Sequence, residues 1–166
     1  MNALQNVGGS VFRLTDEWIE QGLEESRKSP RKRMVLPIHR TQDAIVQRIA
    51  NFLQPGTYIR PHKHPRPHAS ESVYIEKGAI TLLIFDNDGN VVERHWMHFN
   101  QGGKLIDIEA NVWHAMLVWY PDTVLYEFKR GPYDVDEDKQ FAPWSPEEGS
   151  EEADAYLKSL LDSCRS

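Results

Sequence analysis

The stretch GTYIRPHKHPRPHASESVYIEKG, residues 56–78, decides how this chain is read. It sets His62 and His64 one residue apart, and on an extended strand that spacing puts both imidazoles on the same face. Glu71 follows a proline-broken loop and opens the apolar run SVYI, so a strand returning antiparallel would bring its carboxylate back beside the two histidines. His114, in IEANVWHAMLVW (108–119), belongs to a later strand and can close the set from across a barrel. Three imidazoles and one carboxylate suit a borderline divalent ion. Each histidine alone reads as an ordinary surface or loop residue. It is their placement on three expected strands that points to a metal.

By the same parity, Tyr58 and Arg60 are expected to point inward with the histidines. Arg60 can hold a carboxylate or phosphate of a ligand, or pair with a barrel carboxylate such as Glu127 or Glu109. His68 reads as an exposed loop residue, and His95 and His98 as surface residues of an outer strand.

Working outward, residues 33–129 alternate short runs rich in Val, Ile, Tyr, Phe and Trp with Gly, Pro, Asn and Asp, the pattern of many short strands in a sandwich or barrel. The clearest hairpin joins AITLLIF to VVERHWMH through residues 86–90, and further turns fall at 77–78, 100–103 and 121–122. Before this region, Leu14, Trp18, Ile19, Gly22 and Leu23 recur at helical spacing, with Thr15 or Asp16 as cap and Ser29-Pro30 as stop. After it, GPYDVDEDKQFAPWSPEE is too proline-rich and acidic for a strand and is expected to pack its aromatics on the barrel. A closing helix is expected from about Pro146 to Cys164, capped by Ser145. The expected organisation is therefore a helical extension over 1–32, a barrel over 33–130, and a tail with a helix over 131–166.

The 166 residues suffice for one domain with a real core. A formal charge of −6 argues against a surface built to hold nucleic acid, and the basic run Arg27, Lys28, Arg31, Lys32, Arg33 reads as a solvated helix end. The single cysteine, Cys164, cannot form an internal disulfide. The first twelve residues lack the basic and apolar regions of a signal peptide, and no apolar run reaches membrane-spanning length, so a cytoplasmic protein away from the membrane is expected.

At these residues the sequence resembles the cupin superfamily. Gly56, His62, His64, Glu71 and Gly78 follow its first motif, with a longer gap between His64 and Glu71 than is common. The second motif is altered: in Glu109-Ala110-Asn111-Val112-Trp113-His114 its Pro and Gly are missing and the His remains, while Asn111 can take the turn conformation that Gly would supply. From SPRKRMVLPIH to FAPWSPEEG the chain is similar to the WbuC family of cupin-fold metalloproteins, through His39, YIRPHKHPRP, VWHAM and the aromatic tail. The resemblance implies a double-stranded β-helix, a jelly-roll-like barrel flanked by helices, with one divalent transition metal per chain (Zn, Fe, Mn, Ni or Co) on His62, His64, Glu71 and His114. It marks His39 as a pocket residue. It also implies a link to surface polysaccharide synthesis, without fixing a reaction.

Two functions of different class stay open. One is a metal-dependent enzyme, of isomerase, oxygenase or hydrolase type, acting on a sugar or nucleotide-sugar, with Tyr58, Arg60 and His39 as catalytic candidates beside Glu127 and Lys129. The other is a metal-dependent module that binds such a ligand without turning it over. Exposed-looking aromatics suggest a homodimer.

Overall fold

A computed structural model describes residues 3–165. The first helix, α1, spans Asp16–Lys28, with Thr15 at its N-cap, Asp16 and Glu17 in the first turn, and Arg27 and Lys28 in the last, each charge matched to the helix dipole. Eleven strands follow: β1 Arg33–Pro37, β2 Val46–Leu53, β3 His62–Lys63, β4 Glu71–Lys77, β5 Ala79–Phe85, β6 Val91–His98, β7 Gln101–Gly102, β8 Leu105–Ile108, β9 Trp113–Val118, β10 Thr123–Arg130 and β11 Gln140–Phe141. Helix α2 spans Glu151–Ser163.

The strands form two antiparallel sheets, ordered β1-β2-β10-β4-β8 and β11-β3-β9-β5-β6-β7. The mainly β architecture with a helix at either end is as expected. The closed barrel is not: the sheets face each other as a sandwich, and the edge strands β8 and β7 pair only with β4 and β6. Strands as short as β3, β7 and β11, two residues each, cannot carry a ladder across the corners.

Side-chain alternation sorts the core into three layers. Val73, Ile75, Leu82, Met116 and Leu125 fill the space between the sheets. Leu36, Phe52 and Val124 point out of the first sheet toward Leu23 of α1, and the Phe52 ring lies against Gly22. Leu83, Phe85 and Leu117 point out of the second sheet toward Leu157 and Leu160 of α2. This two-sided covering explains why β5 reads as a continuous apolar run rather than an alternating one.

Several details depart from expectation. Helix α2 starts at Glu151, not near Pro146, because Gly149 sits at φ +85°, a left-handed conformation outside any helix, and Ser150 takes the N-cap. His98 is buried, not on the surface, under the rings of Trp96, Phe99 and Tyr120. The basic run keeps the solvated character expected of it, with four of its five residues in local ion pairs: Arg27 with Asp122, Lys28 with Glu25, and Arg31 and Arg33 with Glu148.

Candidate metal centre

His62 and His114 stand directly opposite each other in the β3–β9 pairing, their ring centroids 4.5 Å apart. His114 is on the inner face of β9 with Met116 and Val118, while Trp113, Ala115 and Leu117 face α2. Asn111, at φ +67°, makes the tight entry to this strand and donates its backbone N–H to the His64 carbonyl, as the turn role expected of it requires. His64 follows β3 immediately, and Glu71 is the first residue of β4 in the other sheet. All four side chains are buried, and one ligand atom from each lies within 4.8 Å of the others.

The protons make the case for a cation. His62 Nδ1 is 2.9 Å from the Arg60 carbonyl, His114 Nδ1 is 2.9 Å from the Val112 carbonyl, and His64 Nδ1 is 2.5 Å from the Asp138 carbonyl. A carbonyl only accepts, so each Nδ1 donates, and each neutral ring turns the lone pair of its Nε2 inward. His64 Nε2 lies 2.6 Å from Glu71 Oε2, so two lone pairs confront each other unless a positive charge stands between them. His114 Nε2 is buried without a hydrogen-bond partner among the described residues, 3.8 Å from the same carboxylate. The cluster fits a single divalent ion: three imidazoles already held in the ligating tautomer, and one carboxylate.

Burial, followed by the charges of Lys139 and His114, holds His62 well below the usual histidine value, and burial lowers His114 likewise. Burial alone would raise Glu71, but in the metal-free protein a proton held between it and His64 Nε2, together with the charges around it, brings it well below the usual carboxylate range. All three groups therefore bind fewer protons folded than unfolded. Stability of the metal-free protein should be complete above the usual histidine value of 6.5 and fall as the pH drops through the lowered histidine values, then through that of Glu71. Thermal melts of chelator-treated protein from pH 8 to pH 4 check this; a flat profile across that range would contradict it.

The segment after β10 crosses the mouth of the site. Besides the His64–Asp138 contact, Phe141 pairs with His62 in the β11–β3 ladder. Tyr133, Val135, Asp138 and Lys139 line a chamber of about 300 Å³ that also touches His62. The tail thus closes the end that carries the His/Glu cluster. Below it, Lys129 Nζ binds Asp138 Oδ2 at 2.8 Å and approaches Glu127 Oε1 at 3.6 Å, and Asn51 donates to the other Glu127 oxygen at 3.2 Å. The charges of Glu127, Asp138 and Glu71 outweigh burial and raise the Lys129 pKa.

The catalytic candidates do not join the ligand cluster. The parity argument fails for Tyr58 and Arg60, because residues 54–61 are loop rather than strand and side-chain alternation does not apply. The Tyr58 hydroxyl donates to the Pro146 carbonyl at 3.0 Å, and its ring packs edge-on against Tyr156 of α2. Arg60 donates to Ser145 Oγ and the Ala142 carbonyl and lies over the Phe141 ring. Its expected partners, Glu127 and Glu109, are not among its contacts. His39 lines a separate chamber of about 300 Å³ with Lys129, Tyr133 and Lys139. Its Nδ1 lies 3.0 Å from the Arg48 carbonyl and 3.1 Å from the Arg48 N–H, and its Nε2 is buried without a partner among the described residues. Lys139 was not singled out by the sequence, for it sits in an acidic, proline-rich stretch with no periodicity to aim its side chain.

Residues 14–97 match a family described as a domain of unknown function, DUF6016. No curated protein matches the chain in sequence. Among solved structures, the capsular polysaccharide assembling protein CapF from Staphylococcus aureus superposes with a TM-score of 0.55 at 16% identity, over 64% of this chain and 29% of CapF. Protein SO0799 from Shewanella oneidensis superposes with a TM-score of 0.53 at 11% identity, over 64% of this chain and 72% of that one. The chain thus spans under a third of CapF. At these identities the likeness is one of fold, and the fold is that of the cupins.

Proposed function

Because the chain belongs to DUF6016, a family whose description assigns no activity, its role has to be read from the buried cluster, and we propose that it is a metal-binding cupin acting as a metal-dependent enzyme on a small sugar-derived molecule. The observation that carries the metal reading is the convergence of three Nε2 lone pairs on the Glu71 carboxylate, with every Nδ1 proton already given to a backbone carbonyl. His62, His64, Glu71 and His114 would hold the ion, which is Zn, Fe, Mn, Ni or Co. When bound, such an ion polarises a coordinated oxygen or supplies a hydroxide near neutral pH. The chain itself contributes a cavity of about 120 Å³ beside His62 and Glu71, walled by Val73, Met116 and Leu125, which shelters a ligand from water. His39, whose Nε2 lacks a partner in the adjoining chamber, is the catalytic candidate we retain. A sugar-derived substrate and a place in surface polysaccharide synthesis are supported by the resemblance to the WbuC family, and CapF is itself named for capsular polysaccharide assembly.

The contacts of Tyr58 and Arg60 favour a second reading, a binding module without turnover, since both are held by structural partners rather than free to move protons.

Elemental analysis of protein never exposed to chelator or to a nickel column should find about one transition-metal ion per chain. His64→Ala should lose most of it while remaining folded, because the sheets are held by their apolar faces. Full metal retention in that variant would sink the assignment. We propose a cytoplasmic homodimer, supported by the exposed aromatic surface of Trp96, Phe99 and Tyr120; no helix among the described residues is long and apolar enough to cross a membrane. Light scattering on the same preparation tests the assembly, and a mass near 19.2 kDa contradicts it.

A further inference from the structure

Lys139 lines the small cavity beside His62 and Glu71, the chamber under the tail, and the chamber that holds His39. It stands where the three meet. The other cations of these walls are engaged. Arg31 and Arg33 close on Glu148 at 2.7 and 2.8 Å, and Lys129 is held by Asp138 and Glu127. Arg60 is held by Ser145, Ala142 and, at 3.9 Å, Glu147, so among the described residues Lys139 is the one lysine or arginine lining these three spaces with neither an ion pair within 4 Å nor a hydrogen bond. Lys139 is half-buried, and the carboxylates of Glu127, Glu71 and Asp138 act on it from a distance without closing on it, so its donors stay open to a ligand in these spaces.

We infer that Lys139 is the docking cation for a ligand bearing a single carboxylate, whose charged end lies between Lys139 and the metal ligands and whose body extends into the chamber of His39. The inference rests on the metal reading given above. A carboxylate is the chemical class indicated because one compact ammonium is available, while the three guanidinium forks that would grip a phosphoryl group are engaged, those of Arg31 and Arg33 by Glu148 and that of Arg60 by Ser145 and Ala142. The apolar walls, Ile59, Val73 and Met116, also suit the carbon next to a carboxylate. Burial and then the neighbouring charge of Lys129 pull the Lys139 pKa below the usual lysine value, against the opposing charges of Glu127, Glu71 and Asp138. Lys139 would therefore select ligands by charge, and its position at the junction would orient them toward the ion.

The test uses the full chain loaded with Co(II), with acetate as the probe. Cobalt content is measured by elemental analysis, and acetate binding by the visible spectrum of the bound cobalt. Wild type and Lys139→Met should hold equal cobalt, while half-saturation by acetate rises roughly tenfold or more in Lys139→Met and returns most of the way in Lys139→Arg. Lys139→Gln serves as a second charge-removing variant with the same expectation. Full cobalt with equal acetate affinity in wild type and both neutral variants overturns this inference alone. Inorganic phosphate binding more tightly than acetate overturns the carboxylate class. Absence of cobalt in the wild type overturns the metal reading, and this inference with it.

Discussion

Truncation after Arg130 should abolish cooperative folding. The missing segment supplies Ala142, Trp144, Ala153, Leu157 and Leu160 to the layer that covers Leu83, Phe85 and Leu117. Each large apolar side chain returned to water costs roughly 1.5–3 kcal/mol, and here both sides of the layer are uncovered. The sum approaches the roughly 5–15 kcal/mol that holds a whole domain together. A shorter truncation after Ser150 separates packing from the site. It removes α2 but keeps Asp138 against His64 and Phe141 beside His62. That variant should melt at a lower temperature yet still take up metal. Circular dichroism melts and elemental analysis of the two truncations decide the matter, and a wild-type melt for the chain ending at Arg130 would refute the argument.

Lys129→Ala should cost about 3–5 kcal/mol, the usual result of removing one partner from a buried ionic cluster. Lys129 is buried, and its ammonium is within 4 Å of both Asp138 and Glu127. Its removal leaves those carboxylates and Glu71 with Lys139 as the remaining cation on the wall of the chamber. Lys129→Met, which keeps most of the aliphatic stem, should recover little of the loss. Denaturant unfolding of both variants measures this; if Met restores stability, the stem rather than the charge holds this region.

The clustering of these four residues was legible because its signals are local. His62 and His64 carry their relation in a two-residue spacing, and Glu71 opens an apolar run whose direction of return is fixed by the loop before it. His114 was legible despite its altered motif because Asn111 tolerates the left-handed turn that the missing glycine would have made. Tyr58 and Arg60 were misread because alternation was extended past Pro61 into a loop, where consecutive side chains have no fixed sides. The start of α2 was misplaced because Pro146 is as compatible with a turn as with a first helical turn, and the deciding conformation, that of Gly149, lies three residues on. Lys129 was named only beside the catalytic candidates, and Lys139 not at all, for a different reason. Their roles depend on Asp138, Glu127 and the cavity, all brought together only by the tertiary fold.

Gly22 carries a consequence of its own. A Cβ built there would fall 2.2–2.5 Å from three atoms of the Phe52 ring, far inside any real contact. The helix thus has a notch, and the sheet has the key that fills it. A leucine stripe alone would let α1 slide or roll by a fraction of a turn at little cost, because one methyl group replaces another. A notch admits the ring at one rotation and one height only. The setting of α1 on the sandwich is therefore specified by an atom that is missing, and a single methyl at this position would unseat what the whole apolar stripe cannot by itself align.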